Sequence, residues 1–499
     1  MPCAKADRED LPYPLLDNFC RALKLYKPIK PNTMKITLVS PPSLNSVYGR
    51  IQKYIPPTAP SLGLLYIAAV LEKNNIPVNI LDGYANNYSI EECIVELKRH
   101  KPDLIGITTI TPMFGTVVQL AREIKKHLAG AIVVAGGPHV TAIPEATLKN
   151  FECFDIIVVG EGEYTFLDVA QGKTLEDIKG IVYRKNGSIH TNPPRNMIEN
   201  LDELPFPARH LIDLSKYSHA LFECYGKPMT TTITSRGCPY QCTFCASQLT
   251  FGRKVRYRSP ENVMEEVDLL INKYGIKSIE LRDDTFTGNP YHATKLAKEM
   301  KKRRIPWVAN ANVNNITDNL TKELKEGGCV LLMVGVESGD DDILKELKKG
   351  ITVKKITTAF EIMHKYSMET LAFFIFGSPS ETKETARKTI NLAKRINPTF
   401  VEFFILNPFP GSEAYHLAVE KGLIKDINWA EVASPQFFKP IINHPNFRSE
   451  ELQKLLNNAY REFYFRFSYI VSTVLRMNSW LKVKYYFNLL PAILKLSGY

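Results

Sequence analysis

Short apolar, β-branched runs recur between residues 34 and 170, with helical spacing in the gaps. The runs occupy residues 34–40, 78–82, 104–108, 131–135 and 155–159. Near-continuous apolarity of this kind suits strands covered on both faces, as in a parallel sheet. Between them, Leu64, Ile67, Ala68 and Leu71 fall on one helical face, as do Phe114, Val117, Ala121, Ile124 and Leu128. The alternation predicts five βα units, the pattern of a doubly wound, Rossmann-like parallel sheet. A second series begins at Thr231, and strand-like runs follow at 276–281, 307–313, 330–336, 370–376 and 400–406. Helical patterns such as 261–273 and 383–396 separate them. Counting the first, six such units are too many for a casual open sheet and too few for an eightfold barrel. A partial (β/α)6 TIM-like barrel is therefore predicted.

The expected organisation is an N-terminal extension (1–33), an α/β domain (34–170), a connector (171–228), the barrel (229–425) and a C-terminal helical region (426–499). The connector carries a hairpin signal at Asn186-Gly187 and the proline-punctuated Leu204-Pro205-Phe206-Pro207. No repeat or low-complexity tract interrupts the chain.

Several domains also follow from the 499-residue length, at roughly 100–200 residues each. A chain with 44% hydrophobic and 23% charged residues is globular. Its nine cysteines, an odd and mostly scattered set, make no disulfide framework and favour a reducing compartment. The charged start, residues 1–10, has no apolar core of a secretory leader, so a cytoplasmic protein is expected. The net charge of +11 is concentrated toward the end. From residue 460 onward Arg461, Arg466, Arg476, Lys482, Lys484 and Lys495 face one acid, Glu462, amid many aromatics. Arg466 and Arg476 interrupt the apolar stretch before it reaches the roughly 18–20 residues a spanning helix needs. This tail is expected to lie peripherally on the inner face of a membrane or to pack on the barrel as a helical pair.

The strand ends carry the candidate chemistry. In the first series Thr108 to Thr111, Gly136-Gly137-Pro138-His139 and Gly160-Glu161-Gly162-Glu163 follow strands, where open α/β sheets bind ligands and glycine lets backbone amides come close. No G-x-G-x-x-G follows the first strand, so a large ligand other than a dinucleotide is expected, the alternative being plain tight turns. In the second series Cys238, Cys242 and Cys245 follow the first strand. Three thiolates imply a soft metal, and they are one short of the complement of a tetrahedral zinc or a four-iron cluster. Asp283-Asp284, Asn310, Asn312, Glu337-Ser338-Gly339, Gly377 to Glu381 and Asn407 to Gly411 also end strands and should converge on the barrel mouth.

With Phe244, these cysteines match C-x3-C-x-Φ-C and resemble the radical S-adenosylmethionine superfamily. The resemblance implies a [4Fe-4S] cluster on Cys238, Cys242 and Cys245, with S-adenosylmethionine on the iron that lacks a protein ligand. Electron donation into the sulfonium would then give a 5′-deoxyadenosyl radical. It further implies Phe244 near the adenine, Asp283 and Asp284 near the methionine amino group, and Glu337 and Ser338 near the ribose. Asn312 joins the S-adenosylmethionine set, and Gly377 to Glu381 is similar to a variant Gly-x-Ile-x-Gly-x-x-Glu adenine motif.

The two-part architecture is similar to the cobalamin-binding branch of that superfamily, which includes the anaerobic magnesium-protoporphyrin monoester cyclases and hopanoid-tailoring enzymes. This implies cobalamin held by Thr108, Gly136, Gly137, Gly160, Glu161 and Gly162. The segment Asp82-Gly83-Tyr84-Ala85-Asn86-Asn87 lacks the histidine of D-x-H-x-x-G, so binding without a lower axial histidine is implied. His139 reads as a hydrogen-bonded loop residue. The other six cysteines show no C-x-x-C pairing and no auxiliary cluster is expected.

The implied activity is cobalamin-dependent methylation of an unactivated carbon, or alternatively radical cyclisation, oxidation or ring contraction of a lipid, isoprenoid or tetrapyrrole. A non-catalytic cobalamin- or RNA-binding module is the alternative of another class. Expected partners are a small-molecule or lipid substrate and a reductant such as flavodoxin or ferredoxin. No RNA-binding fold is visible after residue 425, so nucleic acid is not expected.

Overall fold

A computed structural model describes residues 34–42, 57–218, 222–424, 427–432, 440–477 and 480–496. The predicted extension, residues 1–33, lies outside them. The first sheet begins with β1 (Ile36–Ser40), β2 (Val78–Asp82), β3 (Leu104–Thr108), β4 (Ile132–Gly136) and β5 (Ile156–Val158). These five are parallel in the order β2-β1-β3-β4-β5, with Ile36 paired to both Val78 and Leu104. The winding direction therefore reverses between β1 and β3, where loops at the carboxyl ends diverge and open a crevice.

Alternate residues of each strand feed two cores. Leu38, Leu104, Val134 and Ile156 pack with Leu64, Tyr66 and Phe166 on one face. Val39, Ile105, Val133 and Ile157 pack with Leu97, Phe114 and Val117 on the other. Each fully buried aliphatic side chain contributes roughly 1.5–3 kcal/mol, which holds the β1/β3 crevice in place. Local sequence sets the helix ends as well. Ser89 accepts from Glu92 N–H while the Glu92 carboxylate accepts from Ser89 N–H, starting the helix Ile90–His100.

The predicted connector is not a spacer. Its hairpin, β6 (Ile181–Lys185) and β7 (Ser188–Thr191), extends the first sheet antiparallel to β5. Val158 and Val159 reach the strand edge beside Ile181 and Gly180, so backbone pairing recruits the hairpin. Farther on, Arg209 is buried, with Nη1 2.8 Å from Glu266 Oε1 and Nη2 donating to Thr231 O at 2.6 Å. This buried ion pair ties the connector to the barrel.

The barrel strands are β8 (Met229–Thr232), β11 (Ser278–Leu281), β12 (Trp307–Ala311), β13 (Cys329–Glu337), β14 (Glu369–Phe376) and β15 (Phe400–Ile405). They form one parallel six-stranded sheet in the order β15-β14-β13-β12-β11-β8, which is an open, partial barrel. A two-stranded ribbon, β9 (Ser235–Arg236) with β10 (Arg256–Tyr257), lies beyond the first barrel strand. After the barrel, the helix Ser449–Tyr464 packs on β15, where Tyr460 OH donates to Phe403 O and Tyr464 OH to Val401 O. The helix Trp480–Leu496 meets the opposite end of the strands: Lys482 Nζ donates to Glu369 Oε1 at 2.7 Å, and Tyr486 stacks on Phe400. Both helices therefore lie against barrel strands. Among the described residues no helix is long and apolar enough to cross a membrane.

Candidate active site

The cysteine loop is held by the strand that follows it in space. Asp283, at the end of β11, is buried and accepts from Thr234 N–H at 2.6 Å, Thr234 Oγ1–H at 2.5 Å and Ser235 Oγ–H at 2.7 Å. Its carboxylate therefore orients the approach to Cys238. Asp284, the next residue, points to the other side and lines an open cavity. Gly237 has φ +100, and a Cβ there would fall 2.5 Å from Lys254 O. Only glycine lets β9 turn directly into the loop.

Cys238, Cys242 and Cys245 are unpaired and partly exposed. Burial pushes the Cys238 thiol up to about 11 and raises that of Cys242, so a metal would have to displace their protons. Among the described residues no set of three or more metal-ligating side chains is close enough to hold a single ion. A four-iron cluster distributes its thiolates over separate irons, and three donors on one short loop fit that group without meeting at a point.

Lys349 was not legible in the sequence. It donates to Glu337 Oε1 at 2.6 Å and stands 5.9 Å from the centre of the Phe244 ring. Gly335 makes room for the pair, since a Cβ there would lie 2.5 Å from Lys349 Nζ. Burial opposes the ammonium charge, but Glu337 and the thiols of Cys242 and Cys245 outweigh it and raise the Lys349 pKa. A fixed cation beside the loop favours thiolate and any added electron. Replacing Lys349 with Met is expected to lower the cluster's reduction potential, on the order of tens of millivolts, as measured by EPR-monitored titration.

Other expected ligands are engaged elsewhere. Ser338 Oγ is fully buried against Thr389 Oγ1 at 3.2 Å and accepts from Asp340 N–H, so it packs on a helix. Asn312 Oδ1 accepts from Asn314 N–H at 2.9 Å and closes its own turn. Glu381 is fully buried and accepts from Gly377 N–H, bracing the 377–381 loop from inside. In all three a polar side chain near a turn accepts from a nearby backbone N–H.

Burial pushes the Glu381 carboxyl up to about 8 despite the Gly377 and Ser378 amides. A raised carboxyl contributes stability that is complete below the unfolded pKa and is lost as pH rises through about 8. Wild-type thermal stability should fall between about pH 4.5 and pH 8 and level off above that. The Glu381→Gln variant should lose much less, a difference that calorimetry across that window will show.

Between the two sheets lies a cavity of about 430 Å³. Thr108, Gly136, Gly137, Gly160, Glu161 and Gly162 all line it, joined from the barrel side by Arg236, Ser247, Phe251, Arg282 and Asp284. Gly137 has φ +113, and a Cβ there would strike Thr109 O at 2.5 Å. The Gly160 position, by contrast, is open, with no atom within 4 Å of a Cβ. Bare backbone around the β1/β3 crevice fits a broad, flat ligand such as a corrin. No histidine is among the lining residues. His139 is buried on the far side, its Nδ1 3.1 Å from Thr111 Oγ1 and its ring against Phe114 and Trp429.

Glu161 has a different task from direct ligand contact. Its carboxylate accepts from Arg236 Nη1 at 2.8 Å, Arg256 Nη1 at 2.8 Å and Ile198 N–H at 2.8 Å. Arg236 Nη2 also donates to Glu163 Oε1 at 2.7 Å, and its guanidinium lies over the Tyr66 ring. All four charged groups are buried. The loop after β5 is thus clamped to a residue that stands two positions before Cys238.

A thiol loop at the mouth of a partial barrel, joined through Arg236 to a doubly wound ligand domain, defines an enzyme with two cofactor sites. Family comparisons match both parts of the chain. The radical SAM superfamily model matches residues 232–393, and the B12 binding domain model matches residues 53–170. An uncharacterized methyltransferase of Pyrococcus horikoshii is 37% identical over 87% of this chain and 93% of its own. The anaerobic magnesium-protoporphyrin IX monomethyl ester cyclase of Rubrivivax gelatinosus is 27% identical over 81% of this chain and 74% of its own. The fold is also that of the cobalamin-dependent S-adenosylmethionine radical enzyme OxsB, with a TM-score of 0.71 over 94% of this chain and 72% of that one, at 17% identity. The chain belongs to the cobalamin-binding radical S-adenosylmethionine enzymes, whose cofactors are a [4Fe-4S] cluster, S-adenosylmethionine and cobalamin.

Proposed function

We propose that this enzyme methylates an unactivated carbon of a small, apolar substrate of the lipid or isoprenoid class. The carrying observation is the single chamber lined both by the loops after β3, β4 and β5 and by Asp284 and Arg282 of the barrel mouth. One chamber lets a substrate carbon stand between a methyl donor and a site of hydrogen abstraction. When bound, cobalamin supplies the transferable methyl group and the cluster supplies the electron that activates S-adenosylmethionine.

In this reading Cys238, Cys242 and Cys245 hold the cluster, and Phe244 offers its ring to the adenine. Asp284 receives the methionine ammonium, and the Lys349–Glu337 pair sets the charge and polarity above them. The backbone at Thr108, Gly136, Gly137, Gly160 and Gly162 supports the corrin, while Glu161 positions its loop through Arg236. The ligand module comprises residues 34–170 with the hairpin to Thr191, and the barrel comprises 229–425. A flavodoxin or ferredoxin serves as reductant, and the substrate arrives from the cytoplasmic side of a membrane. Likeness to the cyclase of Rubrivivax gelatinosus supports a second reading, radical cyclisation in the same chamber.

Anaerobic reconstitution with S-adenosylmethionine, cobalamin and reductant, followed by mass spectrometry, separates the two. Methylation predicts S-adenosylhomocysteine, 5′-deoxyadenosine and a product one methylene unit heavier. Deoxyadenosine with no mass gain would reject it in favour of cyclisation.

A further inference from the structure

The helix Phe467–Arg476 carries its apolar residues on the outside. Phe467, Ile470, Val471, Val474 and Leu475 stand at positions i, i+3, i+4, i+7 and i+8, which is one helical stripe. All five are exposed, with Phe467 at 82%, Val474 at 60% and Leu475 at 78%. The opposite face is locked inward: Tyr469 is buried and its OH donates to Thr399 O at 2.8 Å, and Thr473 is buried beside it. The helix therefore cannot roll to hide the stripe. Phe487 and Leu490 of the next helix are exposed as well. Contiguous exposed apolar surface of this kind marks a contact site.

We propose that this face docks on the surface of an anionic lipid bilayer. The inference deepens the membrane supply route above, and it stands on surface chemistry independent of the cofactor sites. Charge selects the occupant. From residue 460 onward six bases accompany one acid, Glu462, and one of the six, Lys482, is taken by an acid from outside the segment, Glu369. The Glu462 carboxylate is already taken by Arg387 at 2.5 Å and Lys394 at 2.9 Å. A second copy of the chain would bring the same bases face to face, whereas lipid phosphates neutralise them. At ~15 Å the helix is too short to span, so the stripe can only lie along the headgroup plane, while Arg466 turns inward over Phe463 and Tyr469.

The test is flotation of the full chain with vesicles of phosphatidylcholine alone and of phosphatidylcholine with phosphatidylglycerol. The enzyme should float with the anionic vesicles at low salt and at least tenfold less with the neutral ones. Val474→Glu and Leu475→Glu, both solvent-facing changes, should weaken anionic flotation at least tenfold while leaving the thermal midpoint and cobalamin binding unaltered. Equal flotation of wild type and variants would overturn the proposal. So would a concentration-dependent dimer in sedimentation that these changes dissolve, which would assign the stripe to a second copy. Flotation that appears only after residues 1–33 are removed would assign it to that segment and likewise overturn the proposal. Because none of these readouts needs turnover, a failed methylation assay leaves this result independent.

Discussion

Cys242→Ala is expected to reduce cleavage of S-adenosylmethionine to background while leaving cobalamin binding at the wild-type level. The two effects separate because no cysteine lines the interdomain cavity, whereas Cys238, Cys242 and Cys245 are the three free thiols of one loop. With one thiolate gone, two protein ligands cannot hold a four-iron cluster and still leave a defined site for a substrate ligand. Stability should change little, because Cys242 is only half-buried. The loop is held by backbone, with Thr243 N–H donating to Leu347 O at 3.1 Å and Ala414 N–H donating to Thr243 O at 2.8 Å. A change within about 0.5–1 kcal/mol is expected. Iron content, deoxyadenosine formation and the absorbance of bound cobalamin check the three parts, and surviving cleavage would refute the cluster assignment.

Arg236→Met should have the largest structural effect. The substitution strands Glu163, whose carboxylate has Arg236 as its ion-pair partner, and leaves Glu161 to Arg256. Breaking a buried pair by removing one member costs about 3–5 kcal/mol, because the remaining charge stays desolvated. The loss should also be functional at both sites. Arg236 anchors the Gly160-Glu161-Gly162 loop on one side and precedes the cluster loop on the other, so cobalamin retention and iron content should fall together. The double variant Arg236→Met with Glu163→Leu removes both members and should recover most of the stability, as urea unfolding will show. If the double variant is no more stable than the single one, the stranded-charge account is wrong. If iron and cobalamin do not fall together, the clamp does not couple the sites.

Several polar residues at the barrel mouth show how far local pattern reaches. Asp283, Asn312, Ser338 and Glu381 all stand at or just past strand ends, as their phasing with apolar runs predicts. They accept, however, from Thr234, Asn314, Asp340 and Gly377, and one oxygen of Glu381 stays unpartnered. Position along a strand follows from periodicity, but satisfaction of a carboxylate depends on donors that arrive from other segments. The hairpin 181–191 illustrates the same divide. Its turn is written locally at Asn186-Gly187, while its membership of the first sheet depends on the free edge of β5.

The chain by itself determined the two successive βα series, because burial on both faces leaves continuous apolar strands that can be read without knowing their neighbours. It also determined the three-thiol loop and the glycine-rich strand ends, since spacing within a loop is a local property. Tertiary structure alone decided which charges meet. Glu161 and Arg236 are 75 residues apart, and Glu337 and Lys349 come together across Gly335 only because the strand and the following segment fold over the barrel mouth. Pairing of buried charges is a matter of shared low-dielectric space, and sequence spacing carries no record of it.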